Sequence, residues 1–151
     1  MDLKEKISLD EDLQSNQLQK EVGYHLKRSY VQVIEHFHLD MSEINLRPAE
    51  YSILSMIAEN SQVTAKKLSK ALNIAPPNLV SLIDLLEAKK LISKSVNEND
   101  RRSLILNLTP QGEDHLAKAI KTSAKSQQNA LSNLSTEEIT ELICLLKKVY
   151  S

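Results

Sequence analysis

Two glycines, one cysteine, no tryptophan and five aromatic rings in 151 residues set the first limits on this chain. Scarce glycine removes the tight turns through which a backbone approaches phosphate. Neither GxGxxG nor GxxxxGK[ST] occurs, so a nucleotide-dependent enzyme is not expected. A lone Cys144 excludes an intramolecular disulfide and any cysteine-rich zinc site. The opening MDLKEKISLDEDLQ is too charged for a signal peptide, and no apolar run approaches a membrane span. These absences describe a cytoplasmic chain without a membrane partner. With so few rings, Leu, Ile and Val at helical spacing must supply the core of a single domain.

The net charge of −1 conceals an uneven distribution. Residues 1–20 and 21–60 are acidic and residues 111–151 neutral, whereas residues 61–110 hold eight basic against four acidic side chains. Only this middle third favours a polyanion.

Helical spacing of Leu18, Val22, Leu26, Val33 and Phe37 predicts a long helix over about 15–38. Pro48 opens a second, with Glu50 near its positive end and Ile53, Leu54, Ile57 and Ala58 inward. Thr64 caps AKKLSKAL, which buries Ala65, Leu68 and Leu72 and leaves Lys66, Lys67 and Lys70 outside. Asn73 ends that helix in the left-handed region. Pro76 is expected outside the next helix and Pro77 at its first position, because a proline disfavours helical geometry in its predecessor. That helix, about 77–90, turns Leu79, Leu82, Ile83 and Leu86 inward and Pro77, Asn78, Val80 and Ser81 outward. Lysines on one helix, a short turn and small polar groups on the next make a helix-turn-helix.

ISKSV and SLILNLT then alternate as two strands around a polar tip carrying Arg101 and Arg102, a wing whose guanidinium could enter a minor groove. Thr109 caps and Pro110 opens a long helix with Leu116, Ile120, Ser123, Gln127, Ala130 or Leu131, and Leu134 inward. Ser135 and Glu138 form a capping box for a last helix bearing Ile139, Leu142, Ile143, Leu146 and Val149. The fold class is mainly α with a small β wing. Residues 1–46 form an N-terminal dimerisation region, 47–109 a winged helix-turn-helix and 110–151 C-terminal dimerisation helices. The terminal helices are too long to bury their stripes on so small a centre, which predicts a two-fold homodimer.

The strings LRPAEYSILSMIAEN, TAKKLSKALNIAPPNLVSLIDLLEAKKLI and DRRSLILNLTPQG resemble the MarR family of bacterial transcriptional regulators. Asp100, Arg102, Leu106, Leu108, Thr109 and Gly112 fit its wing pattern D-x-R-x(3)-L-x-L-T-x-x-G. The resemblance implies a homodimer with intertwined terminal helices, placing recognition helices in successive major grooves of a pseudo-palindromic operator. It also implies repression relieved by a small effector, often a phenolic or aromatic carboxylate, and no cofactor. Three positions depart from it: Lys90 stands where glycine is common, Leu85 where arginine is frequent, and Val80 and Ser81 replace a polar or basic pair.

On the residues' own chemistry, Arg101 and Arg102 are wing-tip DNA contacts, with Asp100 orienting one guanidinium by a bidentate pair. Asn78 suits adenine, Ser81 a base or phosphate, and Lys66, Lys67, Lys70 and Lys94 phosphates. Tyr24, His25 and Arg28 lie within one turn and suit either an organic anion or a polar dimer contact; Tyr51 is a further pocket residue. His36 and His38 point to different helix faces and His115 is distant, so no metal site is expected. Cys144 on its apolar stretch reads as a buried, inert thiol rather than a redox sensor. The competing readings are an interaction module docking an acidic partner and a metal- or redox-responsive regulator. No nucleophile and base pair supports an enzyme.

Overall fold

The computed structural model describes residues 15–98, 100 and 102–150. Contacts divide the chain into two compact units: the chain up to Phe37 together with Lys125–Ser151, and His38–Ala124. Among the described residues no helix is long and apolar enough to cross a membrane.

The His38–Ala124 unit starts in the last turn of α1 (Val22–Ser42), where Met41 is fully buried. α2 (Pro48–Glu59) opens on Pro48, whose missing N–H has no intrahelical partner to lose. Ile53, Leu54 and Ile57 are buried as expected, but Ala58 is exposed and Glu50 takes the vacant inward position. α3 (Ala65–Leu72) is capped by Thr64, which accepts from the Lys67 N–H, and ends at Asn73 with φ 50°. α4 (Pro76–Ala88) buries Leu79, Ile83 and Leu86. Pro76, expected outside, lies inside it with Pro77. The first helical positions have no intrahelical acceptor to lose, so a proline is tolerated at each; Ala75 meets the extended geometry asked of it by Pro76, while Pro76 takes helical geometry although Pro77 follows it.

β1 (Ile92–Val96) pairs antiparallel with β2 (Leu104–Leu108), Lys94 opposite Leu106. The expected inward alternation holds only near the root. Ile92 and Leu106 are buried, whereas Val96 and Leu104 are exposed. A bridge outside the hairpin, Leu106 N–H to Val63 O at 2.8 Å, ties β2 to the approach to α3.

The end of α4 is a Schellman turn. Lys90 N–H donates to Glu87 O and Leu91 N–H to Leu86 O, with Leu86 and Leu91 both buried. Lys90 holds φ 59°, which explains why glycine suits this position. Lys90→Gly should therefore raise the free energy of unfolding by a few tenths to about 1 kcal/mol, read as a higher urea midpoint at unchanged m, relief of strain outweighing the looser unfolded chain. A lowered midpoint would show that the lysine side chain itself is needed.

α5 (Pro110–Ala130) begins on that turn. Thr109 N–H donates to Leu91 O, its hydroxyl donates to Lys90 O at 2.6 Å, and the hydroxyl oxygen accepts from Gly112 N–H. Leu116 is buried as expected, but Ala119 rather than Ile120 lies beside it, and Ile120 is exposed. The small residue permits close approach where isoleucine would not.

In the other unit a 3₁₀ turn, Leu18–Lys20, precedes α1 instead of one unbroken helix, because Glu21 is extended. Ser126 on α5 is buried, while Gln127, expected inward, is exposed. α6 (Thr136–Tyr150) has the expected capping box: Glu138 accepts from Ser135 N–H at 2.7 Å and Ser135 Oγ accepts from Glu138 N–H. The Glu137 carboxyl is held below its ordinary range by its own backbone N–H and then by the Ser135 hydroxyl. Expected stripe residues Leu18, Val22, Leu26, Leu134, Leu142, Ile143 and Val149 are exposed in the single chain. Cys144 is exposed as well, not buried, since it lies on a helix whose apolar side chains are largely uncovered.

Candidate nucleic-acid interface

Three residues, Asn73, Ile74 and Ala75, join α3 to α4. Left-handed Asn73 brings Ile74 N–H onto Ser69 O, and Ser69 Oγ donates back to Ile74 O at 2.7 Å, fixing the angle between the helices. Lys66, Lys67 and Lys70 are exposed on α3; the Lys67 ammonium donates to Gln62 O. Pro77, Asn78, Val80 and Ser81 are all exposed on the first turns of α4. Ser81 Oγ donates to Pro77 O at 3.1 Å, leaving its oxygen as an acceptor.

At the wing tip Asp100 N–H donates to Asn97 O, Ser103 N–H to Asp100 O, and Asn97 Nδ2 to Ser103 Oγ. Arg102 is exposed; Arg101 lies outside the described residues. Asp100, expected to orient one of the two guanidinium groups, is not paired with that of Arg102. Its Oδ1 accepts from the Arg102 backbone N–H at 3.1 Å, and among the described residues Arg102 forms no ion pair. A short aspartate at position i reaches the amide two residues on more readily than a flexible side chain. The carboxylate thus shapes the turn, and the guanidinium remains available.

α4, the start of α3 and the wing border one concavity of about 470 Å³, lined by Lys66, Val80, Asp84, Lys94, Asp100 and Arg102 among others. Lys94, expected at a phosphate, is held at 2.8 Å from Asp84 Oδ1 and 2.7 Å from Glu87 Oε2. These hydrogen bonds, Asp84's first, keep its ammonium above the ordinary lysine range against the opposing effect of burial.

A second ion pair escaped the sequence reading. Fully buried Glu50 accepts from Lys89 Nζ at 2.9 Å through Oε1 and from Arg47 N–H at 2.7 Å through Oε2. Lys89 also donates to Asn45 O. The cue was Glu at the third position of α2, a capping-box position. Its partner, 39 residues away, had no local signal.

In the other unit Arg28 Nη1 donates to Tyr24 OH at 2.7 Å, with the guanidinium carbon 5.5 Å from the ring centroid. His25 packs edge-on against Tyr24 and its Nε2 donates to Gln19 O. Tyr51 is half-buried on α2. His115 is half-buried, and its Nε2 is buried without a hydrogen-bond partner among the described residues. Among the described residues no three His, Cys, Asp or Glu side chains are grouped to hold a metal ion.

The MarR family model matches residues 46–104, the span from the end of the α1–α2 connection to the start of β2. A Thauera aromatica protein named for transcriptional regulation of the hcr operon is 30% identical over 131 residues, 86% of this chain and 79% of that protein. The transcriptional repressor CouR bound to a 23-mer DNA duplex superposes with TM-score 0.87 at 30% identity, covering 93% of this chain and 99% of that one. CouR from Rhodococcus jostii RHA1, bound to p-coumaroyl-CoA, shares the fold with TM-score 0.79 at 20% identity, over 89% and 95% of the two chains. A helix-turn-helix and wing on one concavity, together with these relatives, settle the assignment: the chain belongs to the MarR family and is a DNA-binding transcriptional regulator.

Proposed function

We propose that this regulator is a homodimeric repressor of a pseudo-palindromic operator, released by a small phenolic or aromatic acid derivative. The observation that carries the reading is the exposed Arg102 at the wing tip, without an ion pair among the described residues, on the same concavity as α4. Asn78 and Ser81 would read base edges in the major groove while Lys66, Lys67 and Lys70 hold phosphates and Arg101 and Arg102 take the minor groove. Exposed Leu142, Ile143 and Val149 on α6, with Leu18, Val22 and Leu26, supply the apolar surface that a second copy would cover. Such a dimer must set its recognition helices about 34–36 Å apart, one turn of duplex. An effector with different affinities for two arm arrangements changes that spacing and costs one groove contact. The Arg28–Tyr24 pair offers a cation and a phenol to a carboxylate or phenolic ligand, in keeping with the repressor and the coumaroyl complex among its relatives.

Titration of the purified protein against the duplex immediately upstream of its own coding sequence tests this. A dimer by light scattering is expected, with a log–log salt slope of about −5 from six lysine–phosphate contacts. Arg102→Ala should weaken binding by about 1–3 kcal/mol. Unchanged affinity removes the wing from the interface. A shallow slope without site preference would overturn the DNA reading of this surface and favour an acidic protein partner.

A further inference from the structure

We infer that Lys94 is a positioning residue, not a phosphate contact: held by Asp84 and Glu87, it fixes the wing to the recognition helix so that both meet the duplex in one geometry. The inference rests on the DNA-binding reading above.

The first ground is charge. One ammonium between two carboxylates leaves a local excess of one negative charge, so the cluster as folded repels a phosphate. The lysine side chain is only 23% exposed, while Asp84 and Glu87 are 60% and 44% exposed, so the acids are the more open members. Asp84 and Glu87 stand three apart on α4, on one face of the helix, and both reach a single strand residue.

The second ground is leverage. Lys94 is opposite Leu106 in the hairpin, and Leu106 is the residue bridged to Val63. Both sides of this one rung are therefore anchored, β2 through a backbone bond and β1 through the lysine. Two rungs nearer the tip, Val96 and Leu104 are 65% and 48% exposed and add little burial. A two-stranded hairpin is marginal by itself, so the direction of the Arg102 tip depends on that rung. Loosening it adds ordering entropy to every binding event.

The test compares Lys94→Met, Asp84→Asn with Glu87→Gln, the triple variant and Lys94→Arg in the full-length protein. The duplex immediately upstream of the coding sequence is the probe, at several salt concentrations. Lys94→Met should lower affinity about tenfold at an unchanged salt slope. The acid-to-amide variant should weaken binding too, although it makes the protein more positive. The triple variant should be no worse than either, and arginine should restore binding. On the DNA-free protein, amide exchange of Ser95 and Ile105, the hydrogen-bonded rung next to Lys94, should accelerate in Lys94→Met and recover in Lys94→Arg.

The inference is overturned if the slope falls by about 1 per protomer in Lys94→Met, as a lost phosphate contact requires. It is equally overturned if the acid-to-amide variant binds more tightly, or if wing exchange is unchanged. Failure of the wild-type protein to bind this duplex and a scrambled control at low salt would strike the DNA reading instead, while exchange still judges the tie.

Discussion

Replacing Gly112 with alanine will destabilise the protein by about 3 kcal/mol, at the upper end of what overpacking costs. A Cβ built on Gly112 falls 1.9 Å from the Leu91 carbonyl oxygen and 2.9 Å from its carbon. Both are backbone atoms of a turn held by its own hydrogen bonds, so no side chain can move aside. The first turn of α5 would have to retreat, stretching the bonds from Thr109 to Lys90 O and Leu91 O. Gly112 does not have a positive φ, so the demand is for space, not for backbone freedom. This makes the sign of the result decisive. Helix propensity alone would have alanine stabilise a helical position by about 1 kcal/mol. A lowered melting temperature confirms the close approach. A raised one would mean that α5 does not pack against Leu91.

Lys89→Met should cost about 3 kcal/mol, the low end for breaking a buried ion pair because the lysine side chain is 25% exposed. Methionine preserves most of the packing volume but leaves the Glu50 carboxylate fully buried with only the Arg47 N–H for support. It also removes the strap from Lys89 to Asn45 O, which joins the end of α4 to the α1–α2 connection. Adding Glu50→Leu to Lys89→Met should recover most of the loss, short of the about 1 kcal/mol expected for losing a cap. Urea unfolding of the two variants measures both quantities. A loss below about 0.5 kcal/mol in the single variant would class the pair with surface salt bridges.

Much of the DNA-reading unit was legible because its signals are local. Thr64 as a cap, Asn73 as a left-handed terminator and the Leu79–Ile83–Leu86 stripe each depend on neighbours within a few residues. What escaped depends on distance in sequence. Glu50 at an inward position contradicts the usual exposure of carboxylates, and only Lys89 makes it tolerable. The Val63–Leu106 bridge is a single residue pair without periodicity. Ala119 against Ile120 is a choice of one helical step, decided by available space rather than hydrophobicity. Both sites were named more fully than they could be arranged. The wing arginine, the exposed face of α4 and the α3 lysines were proposed from their chemistry, but nothing in the string showed that Asp100 would serve the backbone or that Lys94 would be occupied. The exposure of Cys144 and the apolar α6 residues follows the same rule, since a stripe is buried only where another surface meets it.

The three consecutive residues Lys89, Lys90 and Leu91 end the recognition helix, launch the wing and receive the first turn of α5. They act as a knuckle. Torque applied through that first turn reaches α4 and the wing together, because both are joined directly to this point. A regulatory signal arriving this way would swing an undeformed reading head toward or away from the double helix, and its sequence preference should survive even where its grip does not.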